Sequence, residues 1–255
     1  MNVFITGASS GIGAALAREF AGRGAMLGLV ARRQAVLDEL AAQLPGVHRT
    51  YAVDVTDRDA IVAAGRDFDA ASGGADLVIA NAGISVGVLT EHYEDLDAFR
   101  QVLETNVLAM AHTFHPFIAP MRHRRRGTLA GIASVAGIRG LPGSEAYCAS
   151  KAAAISYLES LRVELRRFGV GVVTIAPGFV RTPLTARNPY RMPFLMAPEA
   201  FARAAAGAML AGASYRVIPW QMAFVAKLLR LLPNWAFDRL LANRPYKPRK
   251  TEPSP

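Results

Sequence analysis

A short apolar strand leads directly into a glycine-rich turn and a helix at Val3-Phe4-Ile5-Thr6-Gly7-Ala8-Ser9-Ser10-Gly11-Ile12-Gly13. The three glycines let the backbone turn tightly and approach a ligand closely. The following helix offers unpaired N–H groups and the positive end of its dipole, which together favour a bound phosphate. The spacing, G-x-x-x-G-x-G, differs from the commoner G-x-G-x-x-G, and such a turn alone is a weak signal. The interpretation of this turn as a phosphate site therefore depends on other motifs in the chain.

Short apolar strands alternate with longer helical segments along the chain. Strands are predicted at 3–6, 26–31, 51–53, 77–80, 128–133 and 170–176, and helices at 12–21, 35–44, 96–119 and 147–168, among others. Continuous apolar strands separated by helices indicate a parallel sheet that is buried on both faces. The predicted fold class is α/β, a Rossmann-like doubly wound parallel sheet flanked by helices on both faces, with a C-terminal helical extension. Ligands of such sheets bind at the carboxyl ends of the strands.

The composition excludes several classes of protein. With 52% hydrophobic and 19% charged residues among 255, the chain has enough apolar surface to fold, which excludes intrinsic disorder. The single cysteine, Cys148, excludes a disulfide framework and a multi-cysteine metal site, and it is compatible with the cytoplasmic location predicted here. The longest stretch without Asp, Glu, Lys or Arg, 105–121, contains two prolines, which favours a soluble helix over a membrane span.

The net charge of +9 lies mainly near the carboxyl terminus. Segment 216–255 has eight basic and two acidic residues, so it carries +6 and the preceding residues carry +3. The basic run at 122–126 precedes a predicted strand and has no interleaved aromatic residues, so it is interpreted as a solvated turn and no nucleic-acid binding is predicted. His112 and His115 share a helical face without a cysteine or acidic cluster, and no metal site is predicted.

The glycine-rich turn also matches G-x-S-x-G, which would make Ser9 a nucleophile at a strand-to-helix turn. A hydrolase of this type needs an acidic residue and then a histidine further along the chain. The last histidine is His123, and the remaining 132 residues contain none. We therefore disfavour the nucleophile and interpret the turn as a phosphate loop.

Two arginines follow the second strand, in Val30-Ala31-Arg32-Arg33. A dinucleotide site that selects NAD places an acidic residue here for the ribose hydroxyls, whereas arginine suits the 2′-phosphate of NADP. The planar guanidinium pairs with phosphate through two hydrogen bonds. Without the phosphate loop, the same pair would be interpreted as a solvated start of a helix.

Tyr147 and Lys151 stand four residues apart at the start of a predicted helix, so their side chains face the same way. A neighbouring ammonium favours the phenolate, so Lys151 is expected to lower the pKa of Tyr147 from about 10 towards values useful for acid–base catalysis. Ser134 ends the preceding strand, where its hydroxyl would hold a substrate oxygen beside the phenol.

Taken in order, these motifs resemble those of the short-chain dehydrogenase/reductase family. The matching positions, spread from residue 3 to about 218, are 6–13, Asp54-Val55, Asn81-Ala82-Gly83, Asn106, Ser134, Tyr147 to Lys151 and Pro177 to Thr182. A tyrosine and a lysine four residues apart often arise by chance, but the ordered set is specific. The resemblance implies an oxidoreductase that transfers hydride between a nicotinamide cofactor and a carbonyl or secondary alcohol.

The resemblance also implies roles for individual residues. Four are implied to be catalytic, with Tyr147 as general acid/base, Ser134 positioning the substrate oxygen, Lys151 binding the nicotinamide ribose, and Asn106 helping to hold a water for proton relay. The positions implied to bind the cofactor are Gly7, Ser9, Ser10, Gly11, Ile12, Gly13, Arg32, Arg33, Asp54, Val55, Asn81, Gly83, Tyr147, Lys151, Pro177, Gly178, Val180 and Thr182. Arg32 occupies the position that binds the 2′-phosphate in NADP-preferring members, so NADP(H) is predicted over NAD(H). Ser10 stands where some of those members have a second basic residue.

The chain is predicted to form one domain with an extension. Residues 1–218 form a single dinucleotide-binding catalytic domain, 219–243 a helical extension of it, and 244–255 a disordered basic tail, because prolines and charge disfavour packing. Three hypotheses remain for the extension. It covers the domain or a subunit interface, it forms a lid over a lipophilic substrate with the apolar loop 192–196, or it attaches peripherally to anionic lipid.

We therefore predict an NADP(H)-dependent oxidoreductase that acts on a lipophilic small-molecule carbonyl or alcohol, with reduction as the favoured direction. A homodimer or homotetramer is the assembly that the resemblance implies. The alternative from another class is a catalytically weak NADP(H)-binding sensor or scaffold whose basic C-terminus contacts a partner or a membrane. The intact set of Ser134, Tyr147 and Lys151 argues against that alternative. An epimerase or dehydratase of the extended family is disfavoured because no sizeable second domain is left over.

Overall fold

A parallel β-sheet organises the described part of this computed structural model, which comprises residues 1–186 and 188–249. Within those residues the sheet has seven strands: β1 (Asn2–Thr6), β2 (Met26–Ala31), β3 (Arg49–Ala52), β4 (Leu77–Ala80), β5 (Thr128–Ile132), β6 (Gly171–Pro177) and β7 (Tyr215–Ile218). Their spatial order is β3-β2-β1-β4-β5-β6-β7, and every neighbouring pair is parallel. The strand order reverses between β1 and β4, which opens a crevice at the carboxyl ends of these two strands.

Helices connect the strands and extend the chain beyond β7. The α-helices are α1 (Gly11–Gly22), α2 (Gln34–Ala42), α3 (Arg58–Ser72), α4 (Asp95–Leu103), α5 (Ala109–Arg124), α6 (Glu145–Arg166), α7 (Pro198–Leu210), α8 (Trp220–Leu231) and α9 (Asn234–Leu241). A π-helical turn, Glu104–Leu108, separates α4 from α5 where the sequence predicts one helix over 96–119. In the described ranges, no helix combines the length and the apolarity needed to cross a bilayer.

Alternate residues of β1 enter two separate hydrophobic cores. Val3 and Ile5 pack in the core that contains α1, α2 and α7, whereas Phe4 packs in the core that contains α3, α5 and α6. The Phe4 ring centroid lies 5.5 Å from that of Phe68 on α3 and 5.1 Å from that of Phe117 on α5. The sheet is thus buried on both faces, and the predicted doubly wound α/β fold is confirmed.

The strand prediction omits β7. This strand pairs with β6 at the edge of the sheet, and its first two residues, Tyr215 and Arg216, are exposed. A four-residue edge strand with polar and exposed positions lacks the continuous apolar run that marks the central strands. Helices α8 and α9 occupy the segment predicted to be a helical extension.

Residues 244–249 pack against the domain, which differs from the disordered tail predicted from residue 244 onwards. The Gly87 N–H donates to the Pro248 carbonyl oxygen at 3.0 Å, and Lys247 is buried. Arg249 Nε donates to Asp95 Oδ2 at 2.8 Å. These partners lie more than 150 residues earlier in the chain, so the local composition does not reveal them. Residues 250–255 lie outside the described part of the chain.

Candidate active site

The phosphate loop after β1 is fastened to the end of β4. The Thr6 hydroxyl accepts a hydrogen bond from the Asn81 N–H at 3.1 Å, and the Asn81 amide donates to the carbonyl oxygens of Thr6 (3.0 Å) and Gly7 (3.2 Å). The backbone of α1 also packs closely on the turn at Gly13, where a Cβ would lie 2.0 Å from the Gly7 carbonyl oxygen. Gly7 has φ +67°, a conformation that favours glycine. The loop is therefore a cradle whose walls are backbone.

A cleft of ≈ 670 Å³ runs along the carboxyl ends of the strands. All but one of the predicted cofactor-binding residues line it: Gly7, Ser9, Ser10, Gly11, Ile12, Arg32, Arg33, Asp54, Val55, Asn81, Gly83, Tyr147, Lys151, Pro177, Gly178, Val180 and Thr182. Gly13 lies beneath the cleft, against Gly7 and Asn81. The cleft thus reaches from the arginines after β2 to the tyrosine on α6, a shape that fits an extended ligand.

Ser134, Tyr147 and Lys151, three of the residues predicted to be catalytic, converge at one end of the cleft, and on that prediction we call them the catalytic trio. Tyr147 and Lys151 lie in the first two turns of α6, and the Lys151 ammonium lies 5.8 Å from the centroid of the Tyr147 ring. Lys151 Nζ donates to the Ile132 carbonyl oxygen at 2.8 Å, which holds it against the end of β5. Ser134 follows the same strand, and its hydroxyl oxygen accepts from the Ala136 N–H at 3.1 Å.

Burial dominates the protonation of the catalytic trio. It raises the pKa of Tyr147 from 10.0 to about 12, and an interaction with the Ser134 hydroxyl opposes the rise only in part. Burial also lowers the pKa of Lys151 from 10.5 to about 8. The expected fall of the Tyr147 pKa below 10 is therefore wrong, because desolvation of the buried phenol raises that pKa. At neutral pH the Tyr147 phenol is protonated.

Asn106 does not line the cleft but holds one of its walls. It lies buried in the π-helical turn between α4 and α5. Its Oδ1 accepts from the Ile84 N–H at 2.8 Å, and its Nδ2 donates to the Ile84 carbonyl oxygen (2.9 Å) and to Ser150 Oγ (3.0 Å). Ile84 lines the cleft, so the side chain of Asn106 fixes the loop after β4 in place.

The opposite end of the cleft carries positive charge. Arg32 and Arg33 are exposed on the loop after β2, at the cleft's edge. Asp54 lies nearby, where burial raises the pKa of its carboxyl group, but hydrogen bonds from Thr56 and the charge of Arg32 outweigh this and the pKa is lowered. Asp54 is therefore ionised at neutral pH and engaged with the protein's own groups.

Sequence reasoning missed several residues that line the cleft. Some adjoin predicted positions, and their place next to a motif is a signal that could have found them: Ala31, Val53, Thr56, Ala82, Ile84, Ala133, Pro183, Leu184 and Thr185. Ile132, the last residue of β5, immediately precedes Ala133 and also lines the cleft. Gln101, Glu104 and Thr105 reach the cleft from α4 and the π-helical turn, and the only sequence signal for them is their position just before Asn106.

Sequence reasoning also missed Lys247, which belongs to the segment predicted to be disordered. Its Nζ donates to Ser85 Oγ at 2.9 Å and to the Leu184 carbonyl oxygen at 3.3 Å. Leu184 lines the cleft, and Ser85 directly follows the cleft residue Ile84. Burial lowers the pKa of Lys247 to about 8. Residues 244–249 therefore connect two loops that border the cleft.

Within residues 1–186 and 188–249, no three histidine, cysteine or acidic side chains are grouped so that they could hold a metal ion. His112 and His115 lie apart from the cleft, on a shallow surface pocket shared with Arg58 and Asp59. The chemistry proposed for the cleft therefore depends on its backbone cradle and its catalytic trio.

Comparisons with known proteins agree with this geometry. The family model for short chain dehydrogenases matches residues 1–191. An uncharacterised oxidoreductase of Myxococcus xanthus is 41% identical over 239 residues, which cover 92% of this chain and 93% of the relative. A 3-oxoacyl-(acyl-carrier-protein) reductase of Haemophilus influenzae is 30% identical over 181 residues, covering 71% and 74%. The crystal structure of a short-chain dehydrogenase from Streptomyces avermitilis matches with a TM-score of 0.76 at 25% identity and covers 94% of both chains.

Proposed function

The chain belongs to the short-chain dehydrogenase/reductase family, and on that premise we propose that it is an NADP(H)-dependent reductase of a small, lipophilic carbonyl compound. Members of this family are oxidoreductases that act on small molecules with NAD(H) or NADP(H). One observation carries the proposal. The catalytic trio lies at one end of a cleft whose other end presents Arg32 and whose middle is the phosphate loop.

The residues of the cleft fit a nicotinamide dinucleotide. A Cβ on Gly7 would lie 2.8 Å from Ala82 Cα, and one on Gly13 would lie 2.0 Å from the Gly7 oxygen, so both glycines let the turn, α1 and the end of β4 pack tightly together beneath the site proposed for the pyrophosphate. Ser10 at the start of α1 makes no capping hydrogen bond with its side chain, so the first N–H groups of the helix are available to phosphate. Arg32 and Arg33 supply the positive charge that a 2′-phosphate requires.

The catalytic trio divides the proton chemistry among three groups. When bound, the nicotinamide would supply the hydride for reduction. The Ser134 oxygen accepts from the Ala136 N–H, and its own O–H, which lies beside the Tyr147 phenol, is available to donate to the substrate carbonyl oxygen. Tyr147 is protonated at neutral pH, so it serves as the general acid towards the same oxygen. Lys151, held by the Ile132 carbonyl, stabilises the phenolate that remains after proton transfer.

The test of this mechanism is NADPH oxidation across a series of lipophilic ketones, aldehydes and 3-oxoacyl compounds. Tyr147→Phe is expected to lower kcat by about 10²–10⁴-fold, the usual contribution of a positioned general acid, with an unchanged Kd for NADPH. Tyr157→Phe is the matched control, since Tyr157 lies on the same helix but stacks on Phe114 away from the cleft. Full activity of Tyr147→Phe refutes the mechanism. NADPH binding without turnover of any compound would favour the sensor or scaffold instead.

We propose a preference for NADP(H) over NAD(H) because Arg32 and Arg33 line the cleft. Loss of a charge-assisted hydrogen bond of about 1.5–3 kcal/mol predicts that Arg32→Ala lowers kcat/KM for NADPH by about 10–150-fold while leaving NADH unaffected. Arg58→Ala is the control, because Arg58 is an exposed arginine that pairs with Asp59 outside the cleft. An unchanged ratio of kcat/KM between the two cofactors would overturn the proposal.

The lipophilic character of the substrate is proposed from the side chains near the catalytic trio. Ile84 and Leu184 line the cleft, and Phe194 and Leu195 are exposed in the loop that precedes α7. The Haemophilus relative is named for a 3-oxoacyl substrate, which is why such compounds enter the screen. Members of the family often form oligomers, and we propose a homodimer or homotetramer for this chain, to be measured by analytical ultracentrifugation. We also propose a cytoplasmic location.

A further inference from the structure

Helices α8 and α9 leave a large apolar surface facing away from the domain. Six large apolar side chains on this hairpin are between 61% and 81% exposed: Trp220, Phe224, Leu228, Leu231, Trp235 and Leu240. We call this surface the outer face. Single exposed apolar residues are normal on proteins, but a group of this size within 21 consecutive positions marks an interaction surface.

The hairpin is attached to the domain by its other side. Met222, Ala226 and Phe237 are buried, and the Met222 side chain packs so closely on Gly178 that a Cβ there would lie 2.7 Å from it. Arg139 donates to the Leu229 and Leu232 carbonyl oxygens, and its guanidinium lies 3.8 Å from the centroid of the Phe237 ring. The fold of the hairpin therefore does not need the outer face.

This arrangement decides between two of the hypotheses for the extension. Met222 and Phe237 cover the domain, as the first hypothesis requires. No side chain of the outer face lines the cleft, so among the described residues these side chains do not form a lid over the substrate. The outer face is therefore free to bind another molecule or surface.

The charges beside the outer face identify its occupant. Lys227, Arg230 and Arg239 are exposed, although the Arg230 guanidinium also donates to the Ile138 carbonyl oxygen of the domain at 3.3 Å, and Asp238 is the single acidic residue between positions 220 and 241. In a two-fold dimer the same patch meets itself, which would bring these cations against cations. Anionic lipid complements both features, because tryptophans partition into the headgroup region and Lys and Arg are attracted to the negative surface.

We propose that the outer face binds the surface of an anionic lipid bilayer, with its apolar side chains in the headgroup boundary and Lys227 and Arg239 at the lipid phosphates. Arg139 joins the hairpin to the loop that follows Ser134. Attachment would thus hold the substrate end of the cleft beside the membrane, from which a lipophilic substrate can enter. This last point rests on the proposed function, whereas lipid binding does not.

Tryptophan fluorescence provides a direct test, because Trp220 and Trp235 are the two tryptophans of the chain and both lie on the outer face. Vesicles of phosphatidylcholine with phosphatidylglycerol are expected to shift the emission to shorter wavelength and to co-sediment with the protein. Brominated acyl chains are expected to quench it. Vesicles of phosphatidylcholine alone are expected to bind much more weakly. An unshifted emission with no co-sedimentation overturns the proposal, whatever the enzymatic activity.

Variants separate lipid binding from self-association and from a folding defect. Phe224→Ser with Leu231→Ser is expected to abolish binding, and Lys227→Gln with Arg239→Gln to weaken it about 25-fold, at about fivefold for each cation. Val163→Ser, which alters an exposed apolar residue of α6, is the control and is expected to bind as the wild type does. Circular dichroism checks the fold of each variant. A concentration-dependent blue shift without vesicles, lost in the Phe224/Leu231 variant, would assign the face to a second copy and overturn the proposal.

Discussion

The buried Lys151 is expected to destabilise the fold, and Lys151→Met measures by how much. Burial lowers the pKa of Lys151 from 10.5 to about 8, whereas in the unfolded chain the amine regains its ordinary value. Between these two values the unfolded chain binds a proton that the native state does not, so native stability rises with pH across that window. The penalty is complete below the native pKa and disappears as the pH exceeds 10.5.

The size of the effect follows from the same two values. A fall in pKa from 10.5 to about 8 corresponds to about 3 kcal/mol of lost stability at pH 7 and to about 1 kcal/mol at pH 10. The methionine variant also leaves the Ile132 carbonyl without its hydrogen bond, which costs about 1–3 kcal/mol at any pH. The difference at one pH is therefore ambiguous. The change between the two pH values, about 2 kcal/mol in favour of the wild type at the higher pH, isolates the ammonium.

The assay is urea unfolding of the wild type and of Lys151→Met at pH 7 and pH 10, with the free energy of unfolding as the readout. Lys227→Met, which removes an exposed lysine of α8, is the matched control and is expected to follow the wild type at both pH values. The Lys151 variant is also expected to lose reductase activity. A stability difference between wild type and Lys151→Met that stays constant with pH would refute the claim that this ammonium is held at the expense of stability.

Two further substitutions test the cradle and the docked C-terminal segment. Gly13→Ala places a Cβ 2.0 Å from the Gly7 oxygen and is expected to cost about 1–3 kcal/mol or more and to abolish NADPH binding, as measured by thermal unfolding and titration. Gly22→Ala, in the same helix with no atom within 4 Å of its Cβ, should be neutral or stabilising, and equal behaviour of the two variants would contradict the cradle. Arg249→Ala breaks the ion pair with the buried Asp95 and is expected to cost about 3–5 kcal/mol in urea unfolding; a loss below about 1 kcal/mol would show that the segment is not docked.

The sequence predicts the glycine-rich end of the cleft well because that end is built from backbone. A tight turn requires Gly7, and the close approach of two loops requires Gly13, so each requirement leaves a residue that can be recognised in the sequence. Ser134 and Tyr147 can be recognised in the same way, because Ser134 follows a predicted strand and Tyr147 begins a predicted helix. For the same reason the order of these elements along the chain predicts the doubly wound sheet.

The docked segment 244–249 and β7 are harder to predict because their partners are distant. Lys247 reaches Ser85 across 162 positions, and nothing in its neighbourhood of prolines and cations indicates that contact. Disorder is the expected state of such a composition when no partner is known. The β7 strand likewise depends on the edge that β6 presents to it. Local patterns describe elements that bury their own apolar residues, and these two bury little.

The protonation of Tyr147 marks the sharpest limit of sequence reasoning. A spacing of four residues correctly places Lys151 and Tyr147 on one side of α6, with the ammonium 5.8 Å from the ring centroid. The direction of the pKa shift, however, depends on how much water the fold removes from each group, and the spacing contains no information on that. Desolvation favours the neutral phenol and the neutral amine together. At neutral pH, however, a lysine with a pKa of about 8 is still mostly protonated, so Lys151 faces the neutral phenol as an ammonium and is expected to stabilise the phenolate formed when Tyr147 gives up its proton.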